Sequence, residues 1–340
     1  MTFNKRAVSA LLSIVAMAIL ILDSKTALTG VTEGVELCMK VVIPSLFPFL
    51  ILSTVLTAST FGINLRFLRP LCRLCRIPHG AAPLLLVGMI GGYPVGAQCI
   101  TRAWKHQQLS TPDARRMLGF CSNAGPAFIF GMTGGLFDSA TAVWALWLIQ
   151  IAAAVITGFL LPGGSSQSIV CQRNQRLSPS NALSQAITAL KSICGWVVVF
   201  RIMILFCDKW FFIWLPETIQ CLISGLLELT NGCCRLVRIP SDSVRFILCS
   251  ILLSSGGLGV FMQTMSVTQD LGTGSYLPGK LIQIIIAAVL SRIISFILFP
   301  WENRLLSPLL WIPTIAAVIY FIKLFRIRKN NSGNLATQRV

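Results

Sequence analysis

The sequence predicts an all-α polytopic membrane protein of about eight transmembrane helices and two re-entrant hairpins, built as a two-fold internal repeat. Three observations point there. The 340 residues are 55% apolar and only 11% charged, against roughly 25% charged in an average soluble domain. Charge-poor runs recur along the whole chain, separated by short basic segments. Two of those runs are interrupted by glycines near their centres. Mean hydropathy is +0.77. A soluble globule cannot hide so much apolar surface, so composition excludes a soluble enzyme, a disordered chain and a secreted disulfide scaffold.

Lys and Arg number 28 against 11 Asp and Glu, a formal charge of +17. The basic residues sit between apolar runs, the pattern of loops held on the cytoplasmic side. No reader motif for nucleic acid accompanies them. Most of the 12 cysteines lie inside apolar runs, as Cys99, Cys121, Cys194 and Cys249 do, where a thiol behaves as a small hydrophobe. Cys72 and Cys75 form a lone C-x-x-C; with His79 and the distant Cys233-Cys234 pair they are a poor match to a four-ligand zinc site. No metal and no cofactor are expected. The two histidines, His79 and His106, fall in basic loops, and no metalloprotease, serine-hydrolase or P-loop motif is present, so no enzyme is expected.

Residues 1–29 hold a first apolar helix, read as retained because no small-residue cleavage site follows it. Residues 30–162 form a first half. It opens with a mixed segment, 30–40, read as an interfacial helix with Glu36 and Lys40 at the favourable i, i+4 spacing. A span at 41–60 follows, kinked or broken by Pro44 and Pro48. The run 81–101 lies between two basic loops (Arg66, Arg69, Arg73, Arg76; then Arg102, Lys105, Arg115, Arg116) and contains Gly91-Gly92-Tyr93-Pro94-Val95-Gly96. A hairpin that enters, turns at the glycines and returns to one side reconciles the charges; the alternative is a kinked crossing helix. A hairpin tip in lipid must be shielded by protein or line a wet cavity. Apolar runs at 117–137 and 139–162 complete this half.

A Gly-, Ser- and Gln-rich linker, 163–180, divides the chain. The second half, 181–322, carries apolar runs at 192–206, 210–230, 246–264, 281–300 and 305–322, and a basic tail occupies 323–340. Cys72-Arg-Leu-Cys-Arg-Ile-Pro78 is echoed by Cys234-Arg-Leu-Val-Arg-Ile-Pro240, and a glycine-interrupted run follows each: Gly91–Gly96 with Gln98, then Gly256-Gly257-Leu258-Gly259 with Gln263. The second hairpin is therefore placed at 246–264. Arg235, Arg238 and Arg245 argue for a cytoplasmic position, whereas an inverted repeat would place it outside.

Paired glycine-broken segments are a sequence pointer to a transporter's binding site, because broken helices offer free backbone groups that can replace a solute's hydration. The candidate residues are Gly91, Gly92, Tyr93, Pro94 and Gly96 of the first turn, Gly256, Gly257 and Gln263 of the second, and Ser122, Asn123 and Gly125, which with Pro126 suggest an unwound stretch. A contact of small residues between helices is the alternative for that stretch. Arg201 and Arg292 lie inside apolar runs, where an arginine costs at least about 2.5 kcal/mol. Each should face a cavity, a solute or a carboxylate, with Glu228 a possible partner, or reach the membrane interface. An arginine free in the cavity implies an anionic solute.

Val42-Ile-Pro-Ser-Leu-Phe-Pro-Phe49, Gly91-Gly-Tyr-Pro-Val-Gly-Ala97 and Cys121-Ser-Asn-Ala-Gly-Pro126, with Gly225–Gly232 and Ser254–Leu258 in the second half, resemble the sporulation integral membrane protein YlbJ family, within the wider group carrying the nucleoside-recognition Gate domain. The resemblance implies a multi-pass protein of the cell membrane, with the forespore membrane as its setting. It also implies transport of dipicolinate, a small aromatic dicarboxylate, during spore maturation. The kinship of the Gate domain with concentrative nucleoside transporters implies paired hairpins and an elevator-like movement. The second turn departs from the first in lacking a proline. The implied partners are the lipid bilayer, a small anionic solute and a coupling ion the sequence does not name; self-association is left open. A non-transporting membrane scaffold in spore maturation and a nucleoside-type transporter are the alternatives.

Overall fold

The structure is a computed structural model, and it describes residues 5–60, 65–164 and 178–305. The expected span at 305–322, the basic tail and most of the linker lie outside them. Every regular element among the described residues is helical. Lipid offers no partner to a backbone amide, so a helix, which bonds its own, is the natural solution.

The chain runs α1 (Lys5–Leu22), α2 (Ser24–Leu37), α3 (Ile43–Thr60), α4 (Arg69–Leu74), α5 (Ala82–Ile90), α6 (Val95–Lys105), α7 (Thr111–Met117), α8 (Pro126–Thr133), α9 (Ala140–Leu160), α10 (Pro179–Trp210), α11 (Glu217–Leu227), α12 (Leu229–Arg235), α13 (Asp242–Ser255), α14 (Gly257–Val267), α15 (Tyr276–Leu298) and α16 (Pro300–Leu305). Five stretches among the described residues are long and apolar enough to cross a membrane: Ser24–Leu52, Ala140–Leu160, Ser180–Trp210, Asp242–Val267 and Tyr276–Leu298. Two shorter apolar helices, Ala7–Leu22 and Glu217–Leu227, accompany them.

The expected interfacial helix at 30–40 is not separate. α2 passes into α3 through a π-helical turn, Cys38–Val42, just before Pro44, whose missing N–H removes a rung of the ladder. Asp23 caps α2, accepting from the Thr26 N–H. Gly30 and Gly34 are buried against α10: a Cβ on them would lie 2.8 Å from Ile202 Cα and 2.9 Å from Val198 Cα. This is the Gly-x-x-x-Gly contact by which membrane helices approach closely. The runs 117–137 and 210–230 are each divided. The first begins where α7 ends, passes through a non-helical stretch that includes 121–125, and continues as α8; the second becomes α11 and α12, which meet at Glu228.

At 81–101, α5 and α6 pack on one another across the turn Gly91–Pro94. Gly92 has φ +73°, and the Tyr93–Pro94 peptide is cis. Gly88 and Gly96 both face Cys121, where an added Cβ would come within 2.4 and 2.0 Å of its carbonyl oxygen. The second break is different in packing. Gly256 and Gly257 are both left-handed, φ +70° and +71°, and separate α13 from α14. α13 packs chiefly on α15 and α9, whereas α14 packs on α10, α11 and α6.

Several basic residues counted above as loop charges are clamps. Arg116 is buried and donates to Cys75 O at 2.7 Å, Gly158 O at 2.5 Å and Pro162 O at 3.1 Å; burial pulls its pKa down to about 10. Arg76 donates to Leu161 O at 2.9 Å. Both hold the C-terminal carbonyls of α9, where a cation is favoured. Cys72 and Cys75 are buried among apolar side chains, and no group of metal-ligating residues forms among the described residues.

Three outcomes are expected. Gly96→Ala, which drives a Cβ into the Cys121 carbonyl, should lower thermal stability in detergent by about 1–3 kcal/mol. Gly195→Ala, in open space on α10, should leave it unchanged or slightly raised, since alanine favours a helix by about 1 kcal/mol. Glu302 accepts from Ser243 N at 2.8 Å, Asp242 N at 3.1 Å and Ser241 Oγ at 2.7 Å, at the start of α13. Burial raises its pKa, but these bonds and Arg245 together hold it below the usual 4.5. Its contribution is present above the unfolded value and lost as pH falls through the folded one. Glu302→Gln should therefore cost about 1 kcal/mol near neutrality, and melting curves of variant and parent should converge in acid.

Candidate functional site

Where the breaks meet, they enclose a chamber. Its lining includes Gly92 and Tyr93 from the first turn, Gly125 from the 121–125 break, Glu228 and Thr230 from the α11–α12 junction, and Gln263 from α14. Leu46, Phe128, Ile193 and Val260 are among its apolar walls. The volume is about 20 Å³, room for one or two waters. The chamber is thus closed to any organic solute in this conformation.

Glycine contacts bring the breaks together. A Cβ on Gly125 would lie 2.9 Å from Gly92 N, and one on Gly256 would lie 3.5 Å from Tyr93 Cε1. Tyr93 also donates its hydroxyl to Leu253 O at 3.3 Å, tying the first turn to the end of α13. In the second half, a Cβ on Gly257 would lie 2.6 Å from Gly225 O, and one on Gly232 would lie 2.1 Å from Gly225 Cα. Side chains take up carbonyls at the breaks. Asn123 Nδ2 donates to Phe120 O at 2.8 Å and Gly88 O at 3.3 Å. Gln150 Nε2 donates to Ser250 O at 3.1 Å.

Behind Tyr93 lies a cation that the sequence reading passed over. Lys280, in the second turn of α15, is only 3% exposed. It donates to Gln283 Oε1 at 3.0 Å and to Asn123 Oδ1 at 3.5 Å, while Gln283 Nε2 donates to Asn123 Oδ1 at 2.7 Å. Its Nζ stands 5.7 Å from the Tyr93 ring centroid and 5.8 Å from that of Tyr276. The signal was the i, i+3 spacing of Lys280 and Gln283, which sets both on one helical face. Hydropathy hides it, because the apolar run of α15 begins at 281.

Of the intramembrane arginines, Arg201 faces a carboxylate, as such a residue should, but not the one the sequence offered. Arg201 pairs with Glu33 of α2, its Nη2 and Nε donating to Oε2 at 2.6 and 2.9 Å. Glu228 is not its partner. The Glu228 carboxylate instead caps α12, accepting from Asn231 N at 2.8 Å, Asn231 Nδ2 at 2.9 Å and Thr230 Oγ1 at 3.1 Å. Asn231 Oδ1 accepts from Arg201 Nη1 at 3.4 Å, so a polar chain runs from Glu33 to Glu228. It connects the chamber with a second cavity of about 260 Å³ beside Glu33, Glu36, Lys40, Arg201 and Asn231. Arg292 is buried on α15, its guanidinium 4.6 Å from the Phe296 ring centroid, and it is not among the residues lining the chamber.

The remaining candidates frame the site rather than line it. Gly91 ends α5 and Pro94 precedes α6. Gly96 supports the hairpin through Cys121, and Gly256 and Gly257 form the second break. Ser122 is buried in the 121–125 stretch with no hydrogen-bond partner for its Oγ among the described residues.

Helices of this length and apolarity, with polar groups gathered at breaks between them, define a multi-pass integral membrane protein. Among known proteins, the chain is similar to the sporulation integral membrane protein YlbJ of Bacillus subtilis (strain 168). The two are 35% identical over 150 residues, which covers 42% of this chain and 35% of that relative. The match thus spans about a third of the curated relative's length, and it supports the resemblance read from the sequence. No family model matches the chain, and no solved structure matches it.

A double-mutant cycle tests the Arg201–Glu33 pair. Arg201→Met and Glu33→Met should each destabilise the protein. The double variant should recover part of the loss, with a coupling of about 0.5–3 kcal/mol read from melting in detergent. Strict additivity would remove the pair from the account.

Proposed function

We propose that the chain is a membrane transporter for a small organic anion, with dipicolinate during spore formation the favoured solute. One observation carries the reading: the turn at Gly92-Tyr93, the break at Gly125, the junction at Glu228 and Gln263 of α14 surround one chamber. Backbone groups freed at such breaks can replace a solute's hydration, and this is how transporters with discontinuous helices form sites. The similarity to a sporulation integral membrane protein supports the spore-membrane setting. In this proposal the described helices, with the apolar run 305–322, make about eight crossings and two re-entrant hairpins related by an internal two-fold repeat, as in the Gate architecture. The glycine clusters around Gly92 and Gly257 are its corresponding centres. Because the chamber admits only water here, loading requires the breaks to separate, as elevator-like or gated movement would allow. In this proposal any uphill transport draws on an ion gradient, since the sequence carries no P-loop motif of its own.

The test is uptake of labelled dipicolinate into proteoliposomes under imposed proton and sodium gradients. Saturable uptake is expected with the parent chain. Gly92→Val should abolish it, because Gly92 is left-handed and abuts Gly125. No saturable uptake under any gradient, together with recovery of a defined protein complex, would favour the non-transporting scaffold instead.

A further inference from the structure

We infer that Lys280 is the carboxylate-binding residue of the transport site, held in reserve behind Tyr93 until an anionic solute enters. The inference rests on the transport reading above and deepens it, by naming the group that would select an acid over a neutral molecule of the same shape.

An ammonium has three N–H donors and no acceptor. Those of Lys280 meet two neutral amide oxygens, Gln283 Oε1 and Asn123 Oδ1. The faces of two tyrosines, Tyr93 and Tyr276, flank the group. Among the described residues no carboxylate lies within ion-pair distance of it; the seven ion pairs involve other cations. A buried charge without a counter-charge costs several kcal/mol. Arg201 shows the ordinary remedy in the same protein, a carboxylate supplied by a neighbouring helix.

The surroundings of Lys280 are also incomplete in the same sense. Ser122 Oγ is buried and has no hydrogen-bond partner among the described residues, and the buried hydroxyls of Tyr276 and Thr264 have only one another. Tyr276 and Ser122 each belong to or adjoin the Lys280 cluster, through the Tyr276 ring and through Asn123, while Thr264 adjoins Gln263 of the chamber wall. An ammonium with no carboxylate partner, next to Tyr276 and one residue from the unpartnered Ser122 hydroxyl through Asn123, forms a donor set that a carboxylate accepts from. The other charge at the chamber, Glu228, does not compete for the role. Its oxygens already accept three hydrogen bonds from Asn231 and Thr230, so it is satisfied as a helix cap. Among the described residues, only the Tyr93 side chain is common to the chamber lining and the lysine's cage. Displacement of that ring would join the two spaces.

The test uses the full chain in detergent and in proteoliposomes, with dipicolinate and its neutral diamide as probes. Parent protein should be thermally stabilised by the dicarboxylate and not by the diamide. Lys280→Met should weaken dicarboxylate binding by about thirtyfold or more, the low end of what loss of a desolvated charge partner costs, and should raise the melting temperature of the ligand-free protein. Gln283→Glu supplies a resident carboxylate at nearly unchanged volume. It should fold, and it should weaken dicarboxylate binding by a similar factor with the lysine still present; it decides the matter if Lys280→Met does not fold. Undiminished preference for the dicarboxylate in Gln283→Glu, or in a folded Lys280→Met, overturns the assignment and leaves the transport reading standing. Failure of the parent to bind or move either probe instead removes the transport reading itself.

Discussion

The membrane interior of this protein depends on backbone pressed against backbone at glycine. Gly88, Gly96 and Cys121, then Gly92 and Gly125, then Gly225, Gly232 and Gly257 approach so closely that a methyl group on Gly88, Gly96, Gly125, Gly232 or Gly257 would collide with main-chain atoms. Such contacts do two things at once. They let interrupted helices sit together where lipid would otherwise have to face bare amides, and they leave no side chain to cover the polar backbone between them. The chamber at Tyr93, Gly125 and Gln263 is the space left by that arrangement.

Polar side chains then complete what the glycines open. Asn123 serves carbonyls of α5 and of the 121–125 break and holds Gln283 by its oxygen. Gln150 bridges α9 to α13 by accepting from Ser254 Oγ and donating to Ser250 O. Glu228 caps α12 at the point where α11 ends. These groups are buried and mutually satisfied, which fixes the relative positions of the breaks. The ion pair of Arg201 with Glu33 anchors α2 to α10 on the far side of Asn231.

Helical class and the positions of the breaks were legible in the sequence because both are local. Glycine and proline in an apolar run mark an interruption wherever the run packs, and Gly91–Pro94, Cys121–Gly125 and Gly256-Gly257 are non-helical or left-handed where expected. What a charge faces is not local. Glu228, in the same half, is the sequence candidate for Arg201, yet its partner is Glu33, 168 residues away. Arg116 and Arg76 read as loop charges, although both reach the carbonyls that end α9. Lys280 stands one residue before the apolar run at 281–300, where hydropathy cannot tell a residue at a helix's end from one buried in its second turn. The Gly30–Gly34 pair was readable, but its significance lay in a helix far along the chain.

The central claim is that the polypeptide stops being helical inside the lipid, at several points around one polar chamber. A cryo-electron-microscopy map of the chain in lipid nanodiscs with dipicolinate tests this most directly. The account predicts solute density between Tyr93, Gly125 and Gln263, with Tyr93 moved from its place over Lys280. Unbroken helices across 81–101 and 246–264, with side chains or lipid filling the space between them, would contradict it.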